Sequence, residues 1–211
     1  MIGRRVGFTL ALALAACSRA VSQDSSAAPG TARRMVPQGY GSLRRDDIVV
    51  QITADQVQLQ LLPLSEGVIR LLAPDTYTSL ASLVASKQNE ITTAAQRAGA
   101  LNPTLALVTF YGMAQSARFN PENLSILSRG RLYRTAGIVP LTPTWSTQQL
   151  SLRQQAMAIY VFEDGVNWRD EQLIVQYGTV QSASWGGAVR KLDQEEQRVI
   201  SRAQAAKSPP P

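Results

Sequence analysis

Hydrophobic and polar residues alternate with a period of two along several short segments of the chain. In the clearest case Val57, Leu59 and Leu61 alternate with glutamines, which is typical of a strand with one buried and one wet face. Turn-forming Gly, Pro, Asn and Asp residues separate such segments. The pattern predicts about eight strands, at residues 47–53, 56–61, 68–72, 104–111, 124–127, 131–135, 156–162 and 172–177.

Two longer segments carry apolar residues at helical spacing instead. The first covers about residues 76–98, between Pro74-Asp75 and Gly99, which favour a helix start and a helix end. The second covers residues 187–205, where charged residues, Glu195 among them, cover the rest of the helix surface. Such a stripe either packs on the protein's own sheet, which we expect, or binds a partner helix. An exposed stripe would indicate a binding surface.

Short strands with turns between them predict a mainly β fold of the α+β type, an antiparallel sandwich with one inserted and one C-terminal helix. In residues 105–177 a strand leads to Asn120-Pro121, then to a Pro-rich loop, to a strand ending at Phe162 and to a strand ending at Tyr177. This order resembles the immunoglobulin-like domains of bacterial lipoproteins. The resemblance implies an immunoglobulin-like β-sandwich.

The first 16 residues have the pattern of a secretory signal peptide. Arg4 and Arg5 precede an apolar run of eleven residues, 6–16. A transmembrane helix needs roughly 20 apolar residues, so this run is too short to cross a bilayer and has the length of a signal-peptide core.

The apolar run ends in Leu14, Ala15, Ala16 and Cys17. This tetrapeptide resembles the lipobox of bacterial lipoproteins. The resemblance implies cleavage between Ala16 and Cys17, and fatty acylation of the sulfur and of the new amino group. Ser18 in place of Asp then implies the outer membrane, with the protein facing the periplasm or the cell surface. The alternative is an ordinary signal peptide in which Cys17 is incidental.

Residues 17–45 are rich in Ser, Ala, Gly and Pro without an apolar period, which predicts a lipidated, flexible tether. Residues 18–45 hold five Arg and one Asp, whereas residues 46–211 hold 14 basic and 14 acidic side chains. The single domain predicted at 46–206, with a disordered tail at 207–211, therefore has no basic excess, which argues against a nucleic-acid partner. The tether arginines contact anionic head groups or are simply solvated.

Composition removes much of the usual catalytic chemistry. The chain has no His and one Cys, which excludes Ser-His-Asp and Cys-His units, imidazole ligands, thiolate clusters and internal disulfides. No phosphate-binding loop or nucleophile-elbow motif occurs. We expect no catalytic residue, cofactor or metal. Carboxylate pairs at Glu163-Asp164 and Asp170-Glu171 flank one predicted hairpin and either converge on a cation or a sugar or are solvated.

Trp145, Trp168 and Trp185 lie in or beside predicted loops, where their rings either stack on sugars or pack in the core. Three functions remain open. The first is a non-catalytic, lipid-anchored module that binds or scaffolds another envelope protein. The second is a polysaccharide- or cell-wall-binding module that uses the tryptophans. The third is a hydrolase with two carboxylates about 5–9.5 Å apart.

Overall fold

More and less buried side chains alternate along β1 and β2, as the period of two requires. In β1 (Val50–Ala54) the alternation is strict, and in β2 (Val57–Pro63) the apolar residues Val57, Leu59 and Leu61 are buried. The computed structural model describes residues 36–207, all of which belong to one compact unit. The predicted signal peptide, Cys17, the first part of the tether and residues 208–211 lie outside the described residues.

Ten strands and four α-helices make up the described chain. The other strands are β3 (Thr104–Gly112), β4 (Ala117–Arg118), β5 (Leu124–Ser128), β6 (Arg131–Pro140), β7 (Gln149–Leu150), β8 (Gln155–Phe162), β9 (Ile174–Tyr177) and β10 (Val180–Ser182). The helices are α1 (Glu66–Ile69), α2 (Pro74–Ser86), α3 (Gln88–Arg97) and α4 (Trp185–Ala205). Short 3₁₀ turns cover Arg45–Ile48, Pro121–Asn123 and Pro143–Thr147.

Eight strands form one sheet in the order β1-β2-β3-β8-β6-β5-β9-β10, and every pairing in it is antiparallel. The sheet curls so far that β1, at one edge, contacts β10, at the other, although the two strands are not hydrogen-bonded. The mainly antiparallel β class is therefore confirmed. The immunoglobulin-like sandwich is not confirmed, because the eight strands lie in one continuous sheet.

The two ends of the curled sheet differ in what fills and covers them. We call the end at which β8 begins the upper end and the end at which β8 finishes the lower end. At the upper end an aromatic cluster fills the interior: Phe110 stacks on Phe119 at 4.5 Å between ring centroids, and Trp145 contacts Phe119 and Tyr160 at 5.2 and 6.0 Å. Interlocking rings of this kind hold the strands of this end together.

The helical segments of the structure differ from the predicted elements in three places. The helix expected over 76–98 is divided at Lys87 into α2 and α3. The strand expected over 68–72 is wrong: α1 and a turn occupy this stretch, because a short run of buried apolar residues fits a buried helix as well as a strand. The C-terminal helix begins at Trp185, and its apolar stripe is buried against the domain.

Residues 36–44, which we call the strap, lie against the domain, whereas the sequence pattern placed them in the tether. Val36 is buried, and Leu43 exchanges backbone hydrogen bonds with Leu71 and Ala73 at 3.1 and 3.0 Å. A Cβ on Gly41 would lie 2.4 Å from the backbone of Leu71, so this contact requires glycine. Backbone contacts order the strap, and such contacts leave no periodic signal in the sequence.

Gly112 provides a test of the fold where β3 passes the segment before β8. A Cβ there would lie 2.2 Å from the carbonyl oxygen of Ser151. We expect Gly112→Ala to lower the free energy of unfolding by about 1–3 kcal/mol, as overpacking does. Gly67→Ala is the control, since a Cβ at this helical position meets nothing within 4 Å. Guanidinium unfolding followed by tryptophan fluorescence measures both; equal effects would contradict the close approach.

Candidate functional site

The strap is fixed to α4 by a buried carboxylate. Glu195, whose side chain is 1% exposed, accepts hydrogen bonds from the backbone N–H and the hydroxyl of Ser42 at 2.9 and 2.7 Å. Arg202 donates to the same carboxylate oxygen at 2.8 Å and to the carbonyl oxygen of Tyr40 at 2.6 Å. We call these four residues the attachment site, since they fix the strap to α4.

Helical spacing explains why α4 presents this carboxylate to the strap. Leu192 and Val199 belong to the buried stripe of α4, and Glu195 lies between them on the same side of the helix. Arg202 follows Glu195 by seven residues, two helical turns later, and therefore shares its face. The sequence pattern had counted Glu195 with the solvent-facing charges. Its spacing of three and four residues from the two stripe residues was the signal that placed it inside.

Burial of Glu195 acts to raise its pKa, but the hydrogen bonds from Ser42 and Arg202 outweigh this effect and lower the pKa below the ordinary value of 4.5. The carboxylate is therefore charged at neutral pH. Its second oxygen, Oε2, has no hydrogen-bond partner, and the guanidinium of Arg198 lies 3.7 Å from it. The charge is compensated mainly from the strap side and from Arg202.

A second ionic contact fixes the other side of α4. The nearly buried guanidinium of Arg169, in the segment between β8 and β9, contacts Asp193 and lies 2.6 Å from Glu196. The nitrogen near Glu196, Nη2, also donates to the carbonyl oxygen of Gly67 in α1 at 3.3 Å. A planar guanidinium suits such a position because it donates in several directions at once. The two ionic contacts hold α4 between the strap and the β8–β9 segment.

The three predicted tryptophans lie in the core and do not form a common surface. Trp145 belongs to the aromatic cluster and is 7% exposed. Trp168, 5% exposed, packs edge-on against Trp185 at 5.6 Å, and the Trp185 indole donates to the carbonyl oxygen of Trp168 at 3.0 Å. A sugar stacks on an open ring face, and these rings offer none in the described structure.

The carboxylate pairs that flank the predicted hairpin serve as local hydrogen-bond acceptors. Asp164 accepts from two consecutive backbone N–H groups, those of Leu101 and Asn102, at 3.0 Å each. Asp170 accepts from the Ser128 hydroxyl at 2.6 Å, and this bond is the main cause that lowers its pKa. The remaining two carboxylates make surface ion pairs, Glu163 with Arg131 and Glu171 with Arg190.

Three surface cavities offer space for ligands, and each is lined by one carboxylate. A cavity of about 340 Å³ between α3 and β6 contains Glu90, one of about 590 Å³ beside β6 contains Glu122, and one of about 410 Å³ between the β1–β2 turn and the β9–β10 turn contains Asp55. None of these three cavities brings together the two carboxylates that a hydrolase of the expected type needs. Within residues 36–207 no group of three or more acidic or Cys side chains could hold a metal ion.

Comparison of the chain with protein-family models, with curated proteins and with solved structures finds no match. None of the helices in residues 36–207 combines the length and the apolar character that crossing a bilayer requires. The predicted lipidation residue, Cys17, lies outside the described residues. The attachment site joins the strap to α4 through polar contacts, and sequence reasoning missed it.

Glu195→Gln tests the attachment site by removing its charge at nearly constant size. We expect it to lower the free energy of unfolding by about 2 kcal/mol at pH 7, since hydrogen bonds to a charged group contribute about 1.5–3 kcal/mol. The folded-state pKa lies below the ordinary 4.5, so this stabilisation is complete above that value and is lost as the pH falls through the folded-state pKa. Denaturant unfolding at a series of pH values should show the difference from the wild type shrinking as the pH falls below 4.5.

Glu171→Gln is the matched control. Its carboxylate is 56% exposed and lies 3.7 Å from Arg190. Exposed pairs of this kind contribute about 0–1 kcal/mol, so we expect a change of less than about 0.5 kcal/mol. If Glu195→Gln and Glu171→Gln had the same effect at every pH, the attachment site would not hold the strap.

Proposed function

We propose that the protein is a membrane-anchored bacterial lipoprotein whose β domain acts as a non-catalytic binding or scaffold module of the cell envelope. The observation that carries this proposal is the tetrapeptide Leu14-Ala15-Ala16-Cys17 directly after an apolar run of eleven residues. Acylation at Cys17 would anchor the chain: a single acyl chain binds a bilayer marginally, whereas two or three chains hold stably.

The attachment site supports this proposal from the side of the domain. A domain that hangs from a lipid anchor receives its tether at one point, and the strap provides such a point. Arg202 and Glu195 hold it through charge-assisted hydrogen bonds, which are about twice as strong as neutral ones. A tether that began at an acylated Cys17 would continue into a strap that is fixed on α4.

The use of polar side chains supports a binding role over catalysis. The carboxylates that acid–base chemistry would need accept hydrogen bonds from backbone N–H groups, as Asp164 does, or from serine, as Asp170 does. The proposed partners are the bilayer, through acylated Cys17, and a second envelope protein at the outer membrane. This role does not require an immunoglobulin-like sandwich, because the curled sheet offers surfaces of its own.

Lipidation of Cys17 is tested in a bacterial host that processes lipoproteins. We expect the wild type to sediment with membranes, and mass spectrometry to find an N-terminal peptide that starts at Cys17 and carries acyl chains. Cys17→Ser should remain unacylated and lose the membrane association. Ser22→Ala, outside the lipobox, is the control and should behave as the wild type. A free Cys17 thiol in the mature wild-type protein would contradict the proposal.

The scaffold role is tested by crosslinking the protein to its partner in cells and purifying the complex. The wild-type protein, crosslinked in intact cells and purified from detergent-solubilised membranes, should carry a second envelope protein in stoichiometric amount. The Cys17→Ser form should lose this complex if anchoring is what places the two proteins together. A protein that always purifies alone would count against the scaffold role while leaving the lipid anchor in place.

A further inference from the structure

The curled sheet leaves a cavity at the upper end of its unpaired seam. β1 and β10 contact each other without hydrogen bonds, and a cavity of about 410 Å³ lies where the β1–β2 turn meets the β9–β10 turn. Residues of the segment from Arg118 to Asn123 complete its wall. Small-molecule sites commonly measure about 300–1,000 Å³, and the mouths of β-barrels are among their usual places. We call this space the seam cavity.

Buried residues form the floor of the seam cavity. Four of the residues that line it are at most 8% exposed: Ala54, Val57, Phe119 and Tyr177. The rings of Phe119 and Tyr177 both pack on Phe110, at 4.5 and 5.5 Å between centroids, so the aromatic cluster fixes the floor. The other two cavities differ. No residue that lines the 590 Å³ cavity is buried, and Val139 alone is buried among those that line the 340 Å³ cavity.

The floor carries a hydroxyl group whose donor is unused. Tyr177 is 7% exposed, and its oxygen accepts a hydrogen bond from the backbone N–H of Asn120 at 2.9 Å. No residue within 36–207 accepts from the O–H group itself. Burial raises the pKa of this hydroxyl, the bond from Asn120 lowers it and the charge of Asp55 raises it, with a net increase. The hydroxyl therefore keeps its proton at neutral pH. A nearly buried donor without an acceptor is unfavourable, and a ligand that accepts from it would remove that cost.

One anion and one cation lie on the rim of the seam cavity without partners. Asp55 and Arg118 are the two charged residues among those that line it, and both are exposed. Within residues 36–207 neither side chain forms an ion pair or a hydrogen bond, and the two stay beyond ion-pair distance of each other. Glu122 and Arg134 line the 590 Å³ cavity without ion pairs as well, but that cavity has neither a buried floor nor a buried donor. Separated opposite charges around one floor suit a ligand that carries both charges.

We propose that the seam cavity binds a small zwitterion, either a free α-amino acid or a short peptide with free ends. Asp55 would accept from the ammonium group, and Arg118 and the Tyr177 hydroxyl would donate to the carboxylate, a planar group that matches the guanidinium fork. A neutral sugar fits less well, because it would leave both rim charges uncompensated and because the floor ring Phe119, 4% exposed, offers no open face. The inference goes beyond the proposed anchoring and scaffold role and does not require acylation of Cys17.

Modified ligands test the two charges one at a time. The full-length protein, purified in detergent, is titrated by calorimetry with free amino acids of both chiralities and with dialanine. We expect at least one of these zwitterions to bind. N-acetylation of that ligand removes the ammonium charge and C-amidation removes the carboxylate charge. Each change should weaken binding about fivefold, the upper range for an ion pair at an exposed position.

Variants of the rim assign each charge to its partner. Asp55→Asn should weaken binding of the zwitterion about fivefold and abolish the effect of N-acetylation. Asn also tolerates the left-handed backbone at this position, where φ is +49°. Arg118→Gln should in the same way abolish the effect of C-amidation. Glu122→Gln and Arg134→Gln, at the 590 Å³ cavity, are the matched controls and should leave affinity unchanged. Tyr177→Phe keeps the ring of the floor and should weaken binding severalfold.

Other outcomes would overturn the inference. If no zwitterion of the panel binds, or if N-acetylation and C-amidation leave affinity unchanged, the seam cavity is not a zwitterion site. Binding of N-acetylglucosamine in place of the panel would show a saccharide site instead. The Cys17→Ser form should bind the same ligand with the same affinity. A failed lipid anchor therefore leaves the inference intact, and failed ligand binding leaves the anchor intact.

Discussion

A single buried charge decides how the chain enters this domain. Glu195 lies within the apolar stripe of α4, where an uncompensated carboxylate would be strongly unfavourable. The strap supplies the compensation through Ser42, and Arg202 completes it. Removing one partner of such a buried pair costs far more than its formation gains, so the charge dictates the position of the strap more than it adds to overall stability. The position of the strap depends on this carboxylate together with the backbone bonds of Leu43 and the close approach at Gly41.

The curled sheet gives the domain two unlike ends. The upper end is filled by aromatic rings, and the lower end is covered by the strap, by α4 and by the ionic contacts of Arg169. The first described residue of the strap, Val36, accepts a hydrogen bond from Arg70, directly after α1. This division of surfaces follows from the antiparallel register, which places the start of β1 and the finish of β8 on the same side.

The sequence predicted the elements whose apolar residues recur at a regular spacing and missed the elements without such a spacing. The alternation around Leu59 and the long stripe around Leu192 give clear periods, and both elements are present. The run at 68–72 is apolar throughout and has no period, so helix and strand could not be distinguished. The strap is held by backbone bonds and by a close approach at Gly41, neither of which leaves a pattern. The tryptophans were placed beside loops, but their burial depends on long-range packing that local spacing does not encode.

The position of β1 in the sheet has a mechanical consequence. β1 is an edge strand, hydrogen-bonded along one side only, and it follows the strap after the short 3₁₀ turn Arg45–Ile48. Tension applied through the N-terminal segment would otherwise peel β1 away from β2 one residue pair after another, the geometry in which a β-ladder resists force least. The ionic clamp on α4 and the backbone bonds to Leu71 and Ala73 intercept that load before it reaches the ladder. The domain can thus bear tension on its N-terminal segment without unzipping from its weakest edge.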